Sequence, residues 1–398
     1  MSCEFDVIIA GGGVMGSACA YFLSGMGGFH GSVAVVEPDP TYRHAASSRS
    51  ASSIRRQFST PMNIALSTFG MEFLRDAPRL LSRGGVPIDV GLTESSYLYL
   101  ATAAGRTALG YCVDVQQRCG VPVTLHTRPG LAARYPWLNT EDLWAGADTA
   151  GGEGWFDGYA LLTALRQANE DRGVRYLHDR VVAIDAHVDT GTHSAGMHTV
   201  LLERRGRLEC RCAVIAAGTR ARELALTAGV DLPVYARKRS VFVFTCPQAI
   251  PRCPLVVDPS GLWFRPERDR FLCGLPADPD PDVAPDDFDV EPAAFEDRAW
   301  PILAHRVPAF EAVRLAGCWA GHYDFNAFDQ NAFVGPLPGK ANLLIASGFS
   351  GHGLQQAPGV GRALAELIVF GEYRSLDLRP LGFARFPANT PLIELNII

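Results

Sequence analysis

The sequence lacks a basic surplus. Its 36 lysines and arginines are outnumbered by 42 acidic residues, for a formal charge of −6. That balance argues against nonspecific binding to nucleic acid or to an anionic membrane, although a local basic pocket stays open. A long apolar run near the start is also missing. Val7 to Ala10 is far too short to cross a bilayer and has no positively charged stretch before it. The expectation is no transmembrane segment, no nucleic-acid partner and a cytoplasmic location. The ten cysteines form no CxxC pair, and Cys210 and Cys212 stand too close for a usual zinc knuckle, so reduced thiols are expected. HxxxH, HExxH and GxSxG patterns are absent, and with them the common signals for a metal site or a hydrolase. No metal is expected. Solenoid, coiled-coil and disordered classes drop out because there is no internal repeat, heptad array or polar low-complexity tract.

What is present is ordinary globular material. Hydrophobic residues make up 47% and charged residues 20%, close to the averages for folded domains. At 398 residues the chain exceeds the size at which one core stops growing, so two domains are expected, interleaved or consecutive.

The opening segment carries the first chemistry. Phe5 to Ala10 is a short β-branched apolar run, broken by Gly11-Gly12-Gly13-Val14-Met15-Gly16 and continued by a helical pattern over Ser17 to Leu23. Gly11 suits a tight turn, Gly13 lets a pyrophosphate approach the backbone, and Gly16 lets the helix pack on the strand, with the helix N-terminus facing the phosphates. A second apolar strand, Ser32 to Val36, ends in Glu37, where a carboxylate accepts the two hydroxyls of an adenosine ribose. GxGxxG alone is a weak signal; at a strand–helix junction with an acid ending the next strand it is much stronger. It does not separate NAD from FAD, since both use this cradle. After Pro38 the small-residue stretch Ala45 to Ser53 offers unobstructed amides and hydroxyls against which a flavin ring could lie.

Gly11 to Gly16, Val35-Val36-Glu37 and the stretch Thr41 to Ser59, with Ser53-Ile54-Arg55-Arg56-Gln57-Phe58 near its end, resemble the D-amino-acid oxidase/sarcosine oxidase superfamily. Val214-Ile215-Ala216-Ala217-Gly218 is similar to that family's second FAD-contacting strand and turn. Ile345 to Gln355 is similar to its flavin-embracing segment. The resemblance implies an α/β chain, α+β overall. A Rossmann-like FAD-binding domain (residues 1–90, 145–235 and 320–398) would be interleaved with a mainly antiparallel-sheet substrate domain (91–144 and 236–319). Sheet strands are expected over Val234 to Phe244 and Gly261 to Gly274, and helices over Ala160 to Asn169 and Ala363 to Phe370.

With the motif residues, the resemblance implies FAD contacts at Gly11, Gly13, Val14, Met15, Gly16, Glu37, Pro38, Ser48, Arg49, Ser50, Ser52, Ser53, Val181, Val182, Ala216, Ala217, Gly218, Gly348, Gly351, His352, Gly353, Leu354 and Gln355. Gly353-Leu354-Gln355 would open a helix whose N-terminus stabilises the charge that hydride transfer leaves on the flavin, with Pro358 tolerated as a first-turn residue; a plain glycine-rich helix cap is the other reading.

The implied activity is oxidation of a C–N bond in a small amine, amino acid or N-alkyl amino acid. A carboxylate needs a guanidinium fork. Arg55, Arg56 and Arg239 are the candidates: Arg55 matches an active-site arginine of sarcosine oxidases, and Arg239 resembles a substrate-binding arginine of D-arginine-type dehydrogenases. Arg237 and Lys238 read equally as a solvated strand edge. Tyr323 would complete carboxylate binding or sit as a satisfied core tyrosine; His352 and Gln355 lie in the flavin segment, and His322 is a candidate base.

Two departures from the family pattern refine this. Gly321 stands where monomeric sarcosine oxidases attach the flavin through cysteine, with Cys318 three residues back, so FAD is expected to be noncovalent. Leu272 aligns with their oxygen-promoting lysine, which favours a dehydrogenase. The electron acceptor is left open among a quinone, an electron-transfer protein and oxygen. An FAD-containing assembly or scaffold protein for a respiratory complex is the alternative.

Overall fold

The computed structural model describes residues 4–186 and 197–395; residues 1–3, 187–196 and 396–398 of the first expected domain lie outside them. The chain opens with strand β1 (Phe5–Ala10), helix α1 (Val14–Ser24) and strand β2 (Val33–Glu37). It continues through α2 (Ala46–Arg49), β3 (Ser53–Ile54), α3 (Pro61–Leu80), β4 (Thr93–Ser95) and β5 (Tyr97–Ala101). Next come α4 (Arg106–Arg118), β6 (Val123–Thr127), α5 (Arg128–Arg134), β7 (Ala145–Thr149), β8 (Glu153–Trp155) and α6 (Gly158–Asp171). Strands β9 (Arg175–His178), β10 (Val181–Ala186), β11 (His198–Leu202) and β12 (Gly206–Ile215) lead to α7 (Ala221–Thr227). The remainder is β13 (Val234–Thr245), β14 (Leu255–Val257), β15 (Trp263–Glu267), β16 (Arg270–Gly274), α8 (Trp300–Arg306), β17 (Arg314–Asn326), β18 (Phe333–Leu337), β19 (Lys340–Ser347) and α9 (Gly353–Phe370).

In the first sheet β1 lies between β2 and β12, all parallel, with β9 outside β2, β19 beside β12, and β10 and β11 as an antiparallel extension. Both faces are covered, which is why Val7 to Ala10 of β1 run apolar rather than alternating. Val7 and Ile9 pack with α1 and α9 on one side, and Ile8 and Ala10 with α7 on the other. The second sheet runs β17-β13-β16-β15-β14-β5-β7-β6, antiparallel except where β14 meets β5. Phe242, Phe244, Phe264, Phe271 and Phe310 fill the core on one of its faces. β7 therefore belongs with the substrate-side sheet, although its residues fall in the 145–235 segment assigned to the FAD domain: its backbone pairs with β5 and β6.

β13 and β17 pair along their whole length, from Val234↔Asn326 to Thr245↔Arg314. Val234 sits in the core of the first sheet and Phe244 in that of the second, so this ribbon bridges the two cores and carries Arg239, His322 and Tyr323 at the junction.

The helices expected over 17–23, 160–169 and 363–370 lie inside α1, α6 and α9. α9 begins ten residues earlier than the apolar pattern indicated, at Gly353. Packing overrides the poor propensity of its first turns. A Cβ on Gly361 would lie 2.6 Å from the Ala18 carbonyl carbon of α1, and one on Gly70 of α3 would lie 2.1 Å from the Gln355 carbonyl oxygen, so these glycines let three helices cross at backbone contact. Pro358 is not a first-turn residue: it is the sixth of α9, and it deletes the N–H that would have bonded the Leu354 carbonyl.

Candidate active site

A cavity of 760 Å³ runs from the ends of β1 and β2, past α2 and β3, to the space between the β13–β17 ribbon and β5, β14 and β15. Of the residues expected to act on substrate, all but Arg56 line it. So do all those expected to hold the cofactor except Gly16, Ser48 and Gly348.

At one end the β1–α1 turn is shaped by its glycines. Gly11 has φ +108°, and a Cβ there would meet the Ala216 carbonyl at 2.3 Å, so side chains are excluded by strain and by space. Gly16 works from behind the wall, its Cα 's missing side chain leaving room for the Gly11 carbonyl, which a Cβ would approach to 2.0 Å. The N–H of Val14, in the first turn of α1, donates to Ser47 Oγ at 3.1 Å. Ser47 is thus a cradle residue that the sequence reading passed over in favour of Ser48. α2 is a single helical turn, so only one of two adjacent serines faces α1, and Ser48 Oγ is buried with no hydrogen-bond partner among the described residues.

Glu37 is oriented by backbone. Its Oε2 accepts from Gly12 N–H at 2.8 Å and its Oε1 from Asp39 N–H at 3.0 Å. Each oxygen keeps a further acceptor site, as two ribose hydroxyls require. Burial pushes this carboxyl above its ordinary value, against the opposing pull of those two N–H bonds. A backbone-lined turn, a helix N-terminus opening on the cavity beside Ser47 and a doubly oriented acid fit an adenine dinucleotide.

In the middle of the cavity, Gly348 faces inward to the protein. It packs on Val234 and Asn326, and its N–H donates to Asp324 Oδ2 at 2.7 Å. Gly351 has φ +94°, and a Cβ there would stand 2.6 Å from the Tyr323 ring, so glycine lets that tyrosine lie against the segment. His352 is the N-cap of α9, whose N-terminus opens on the cavity; the N–H groups of its first turn are available to developing negative charge.

At the far end Arg55 is 2% exposed. Its Nη1 donates to the Tyr99 hydroxyl, its Nη2 to His352 Nε2 at 3.0 Å, and its carbon Cζ stands 4.3 Å from the Phe58 ring centre. Gln355 Oε1 takes the Arg55 N–H at 2.8 Å. Burial first, and the Arg55 charge second, hold the His352 imidazole well below its ordinary value, hence neutral. Tyr323 is partly buried against Gly351, and its hydroxyl is pushed up by desolvation.

Two side chains expected to act at this end are already engaged. Arg239 lines the cavity, but both ends of its fork are engaged by Asp280, at 2.6 and 2.9 Å; that bidentate pair already satisfies the geometry a substrate carboxylate would use. His322 presents Nε2 to the Asp287 carbonyl oxygen at 2.6 Å and stacks on Phe288 at 4.4 Å. The nitrogen bonded to a carbonyl must carry its proton as donor, so in the neutral ring any accepting role falls to Nδ1. Arg237 and Lys238 are half-buried rather than solvated, paired with Asp282 at 2.7 Å and Asp287 at 2.8 Å. The acids all come from the loop 276–292, whose Phe288 also sits under the Arg49 guanidinium at 4.4 Å. The run of six aspartates between 278 and 289 facing Arg237-Lys238-Arg239 was a legible charge complement.

Tyr97, Leu255 and Trp263 give the far end an apolar wall; the alternation Tyr97-Leu98-Tyr99-Leu100 was the signal for it, since period two sets both tyrosines on one face. Leu272 does not line the cavity. Its ladder partner Arg265 is buried, donating to Ala51 O at 2.8 Å and paired with Glu267 at 2.5 Å. Among the described residues there is no group of three potential metal ligands, and no helix is long and apolar enough to cross a membrane.

A family profile described as FAD dependent oxidoreductase (DAO) matches residues 6–367. A Xenopus laevis protein, FAD-dependent oxidoreductase domain-containing protein 1, is 40% identical over 425 aligned positions, which cover 99% of this chain and 85% of that one. Glycine oxidase of Geobacillus kaustophilus is 27% identical over 97% of this chain and 98% of its own. Among solved structures, L-proline dehydrogenase from P. horikoshii superposes with a TM-score of 0.82 at 20% identity, over 98% of this chain and all of that one.

Proposed function

The chain belongs to the family of FAD dependent oxidoreductases, and from that premise we propose that it oxidises the C–N bond of a small amino acid or N-alkyl amino acid, as a dehydrogenase. The observation that carries this reading is Arg55: a buried guanidinium on the cavity wall, beside the N-terminus of α9, braced by Tyr99, His352 and Gln355.

The α1 N-terminus would hold the pyrophosphate and Glu37 the ribose, with Ala216 to Gly218 and Gly351 to Gln355 at the ring. Bound FAD supplies a two-electron acceptor for hydride. Arg55 would hold the substrate carboxylate, which fixes the α-carbon and turns its hydrogen one way. Tyr97, Leu255 and Trp263 keep water from that end and contact the apolar part of the substrate. Neutral His352 accepts from Arg55 and adds no second positive charge beside it. Glycine oxidase, a relative along nearly its whole length, supports amine chemistry.

Noncovalent FAD is supported by Gly321, where a Cβ would meet the Arg49 carbonyl at 2.9 Å, and by Cys318, which packs on the phenylalanine core of the second sheet. The dehydrogenase reading rests on the family departure at Leu272. Because Leu272 lies off the cavity and its ladder partner Arg265 is engaged by Ala51 O and Glu267, neither places a free cation there, and the acceptor would be a quinone or an electron-transfer protein rather than oxygen. The test is to add D-, L- and N-methyl amino acids to the yellow protein under anaerobic conditions. Bleaching by one class supports the proposal. A flavin that no amine bleaches would end it, and would favour the scaffold alternative.

A further inference from the structure

The segment that carries Arg55 into α3 is shaped by side chains more than by secondary structure. From Arg55 to Thr60 every backbone N–H has an acceptor, and only Phe58 finds it on the backbone, at Arg56 O. Glu153 takes the N–H groups of Arg56 and Gln57 at 2.7 and 3.1 Å. The next two, on Ser59 and Thr60, go to Glu394, more than three hundred residues later in the sequence.

Glu394 is 4% exposed, although its neighbours Ile393 and Leu395 are both more than half exposed. Its Oε1 accepts from Ser59 N–H and Ser59 Oγ, both at 2.7 Å. Its Oε2 accepts from Thr60 N–H at 3.1 Å, Thr60 Oγ1 at 2.8 Å and Asn63 Nδ2 at 3.0 Å. A buried carboxylate needs this many donors to offset lost hydration, and its charge sits at the N-terminus of the 20-residue α3, where a negative charge is favourable. The strap that bears it is fastened on both sides: Leu392 N–H donates to Asp329, Asn331 Nδ2 donates to the Leu392 carbonyl, and Leu395 N–H donates to Ser59 Oγ. The network then reaches the flavin-facing helix. Gln356 Nε2 of α9 donates to Asn63 Oδ1 at 3.1 Å, and the adjacent Gln355 receives the Arg55 N–H. Phe58, between Arg55 and Ser59, lies under the Arg55 guanidinium and edge-on to His352.

We infer that Glu394 is a positioning residue of the active site: through Ser59, Thr60 and the Asn63–Gln356 link it fixes Arg55 and the α9 N-terminus relative to each other. This rests on the carboxylate-holding role proposed for Arg55. Glu394 touches neither substrate nor FAD and acts only through the groups it holds.

The test compares Glu394→Gln with Glu366→Gln in the FAD-loaded protein. Glu366 is an equally buried, hydrogen-bonded carboxylate in the C-terminal half of α9, bonded to Ser375 and Arg362, so its loss costs stability without touching Arg55. In Glu394→Gln either orientation of the amide turns a donor towards a backbone N–H. The expected result is a roughly tenfold rise in KM for the amino acid with kcat changed less than about threefold, because the substrate anchor shifts by a fraction of an ångström. The dissociation constant of acetate, read from its perturbation of the flavin band, rises by the same factor, and Glu366→Gln moves neither. Ser59→Ala, which removes the Ser59 Oγ contacts to Glu394 and to the Leu395 N–H and leaves the carboxylate in place, gives the same change at smaller size if Glu394→Gln does not fold. Equal behaviour of the two glutamate variants, or an acetate constant unchanged in Glu394→Gln and Ser59→Ala, overturns the inference. If no amine bleaches the wild-type flavin while acetate still perturbs it, the amine reading fails and the acetate comparison decides the role of Glu394 on its own. If acetate leaves the wild-type band unmoved, the carboxylate role of Arg55 is overturned, and this inference with it.

Discussion

Arg55 and His352, 297 positions apart in sequence, meet with Nη2 3.0 Å from Nε2, and the contact fixes the state of both. A guanidinium only donates, so Nε2 must accept and the imidazole proton must sit on Nδ1. A second proton on His352 would face the Arg55 charge at hydrogen-bonding distance in a buried setting, which is why the ring stays neutral.

Arg55→Lys keeps the charge and loses the fork. The expected result is a fall in kcat/KM of roughly 100-fold, about 2.7 kcal/mol, with FAD content unchanged. Steady-state kinetics on the purified variant measure it.

The His352 pairing also makes stability depend on pH, with a definite sign. Its folded pKa is depressed, so below the ordinary value of 6.5 the unfolded chain binds a proton that the folded chain refuses. Stability is therefore full above that value and falls as pH drops towards the folded pKa, by up to about 1.4 kcal/mol per pH unit. Urea unfolding of wild type and His352→Asn between pH 7 and 5 reads this as a difference in slope; parallel curves contradict it.

Glu37→Gln replaces one ribose acceptor by a donor while keeping shape. FAD affinity, titrated by fluorescence on the apoprotein, should weaken by about 10- to 100-fold, the equivalent of one or two unmade hydrogen bonds.

Asp280→Asn breaks the bidentate pair with Arg239 and leaves a guanidinium facing the cavity. Amino acids with a second carboxylate should then gain over their monocarboxylate counterparts, with KM lower by roughly tenfold. A ratio of KM values unchanged from wild type would show that Arg239 finds another partner.

Gly361→Ala forces a methyl against the Ala18 backbone of α1. It should cost about 1–3 kcal/mol of stability and lower FAD retention, since α1 and α9 carry the two N-termini that open on the cavity. Thermal unfolding and the flavin-to-protein absorbance ratio report both.

Much of this was legible in the sequence where local chemistry decides the structure. Gly11, Gly13, Gly16 and Glu37 are dictated by one turn and the strand after it, and the Gly348 to Gln355 segment by its resemblance. What the sequence hid depends on long-range partners. Arg239 reads as a free fork until the loop 276–292 brings Asp280 to it, and nothing local shows that the Asp287 carbonyl takes His322 Nε2 and leaves only Nδ1 to accept. Ser47 and Ser48 are interchangeable in a string of small residues and separate only once α2 forms a helical turn. The start of α9 at Gly353 came from the resemblance and not from the apolar pattern, because Gly353, Gly359, Gly361 and Pro358 are poor helix formers that close crossing with α1 and α3 nonetheless favours. Glu394 carried no local signal, because its donors lie more than three hundred residues away.

The measurement that bears most directly on the whole account is the anaerobic rate of flavin bleaching by the best amino-acid substrate and by the same amine lacking its carboxylate. An Arg55-anchored dehydrogenase bleaches with the amino acid and about 100-fold more slowly, at equal concentration, with the decarboxylated analogue. Equal rates for the pair, or no bleaching by either, would contradict it.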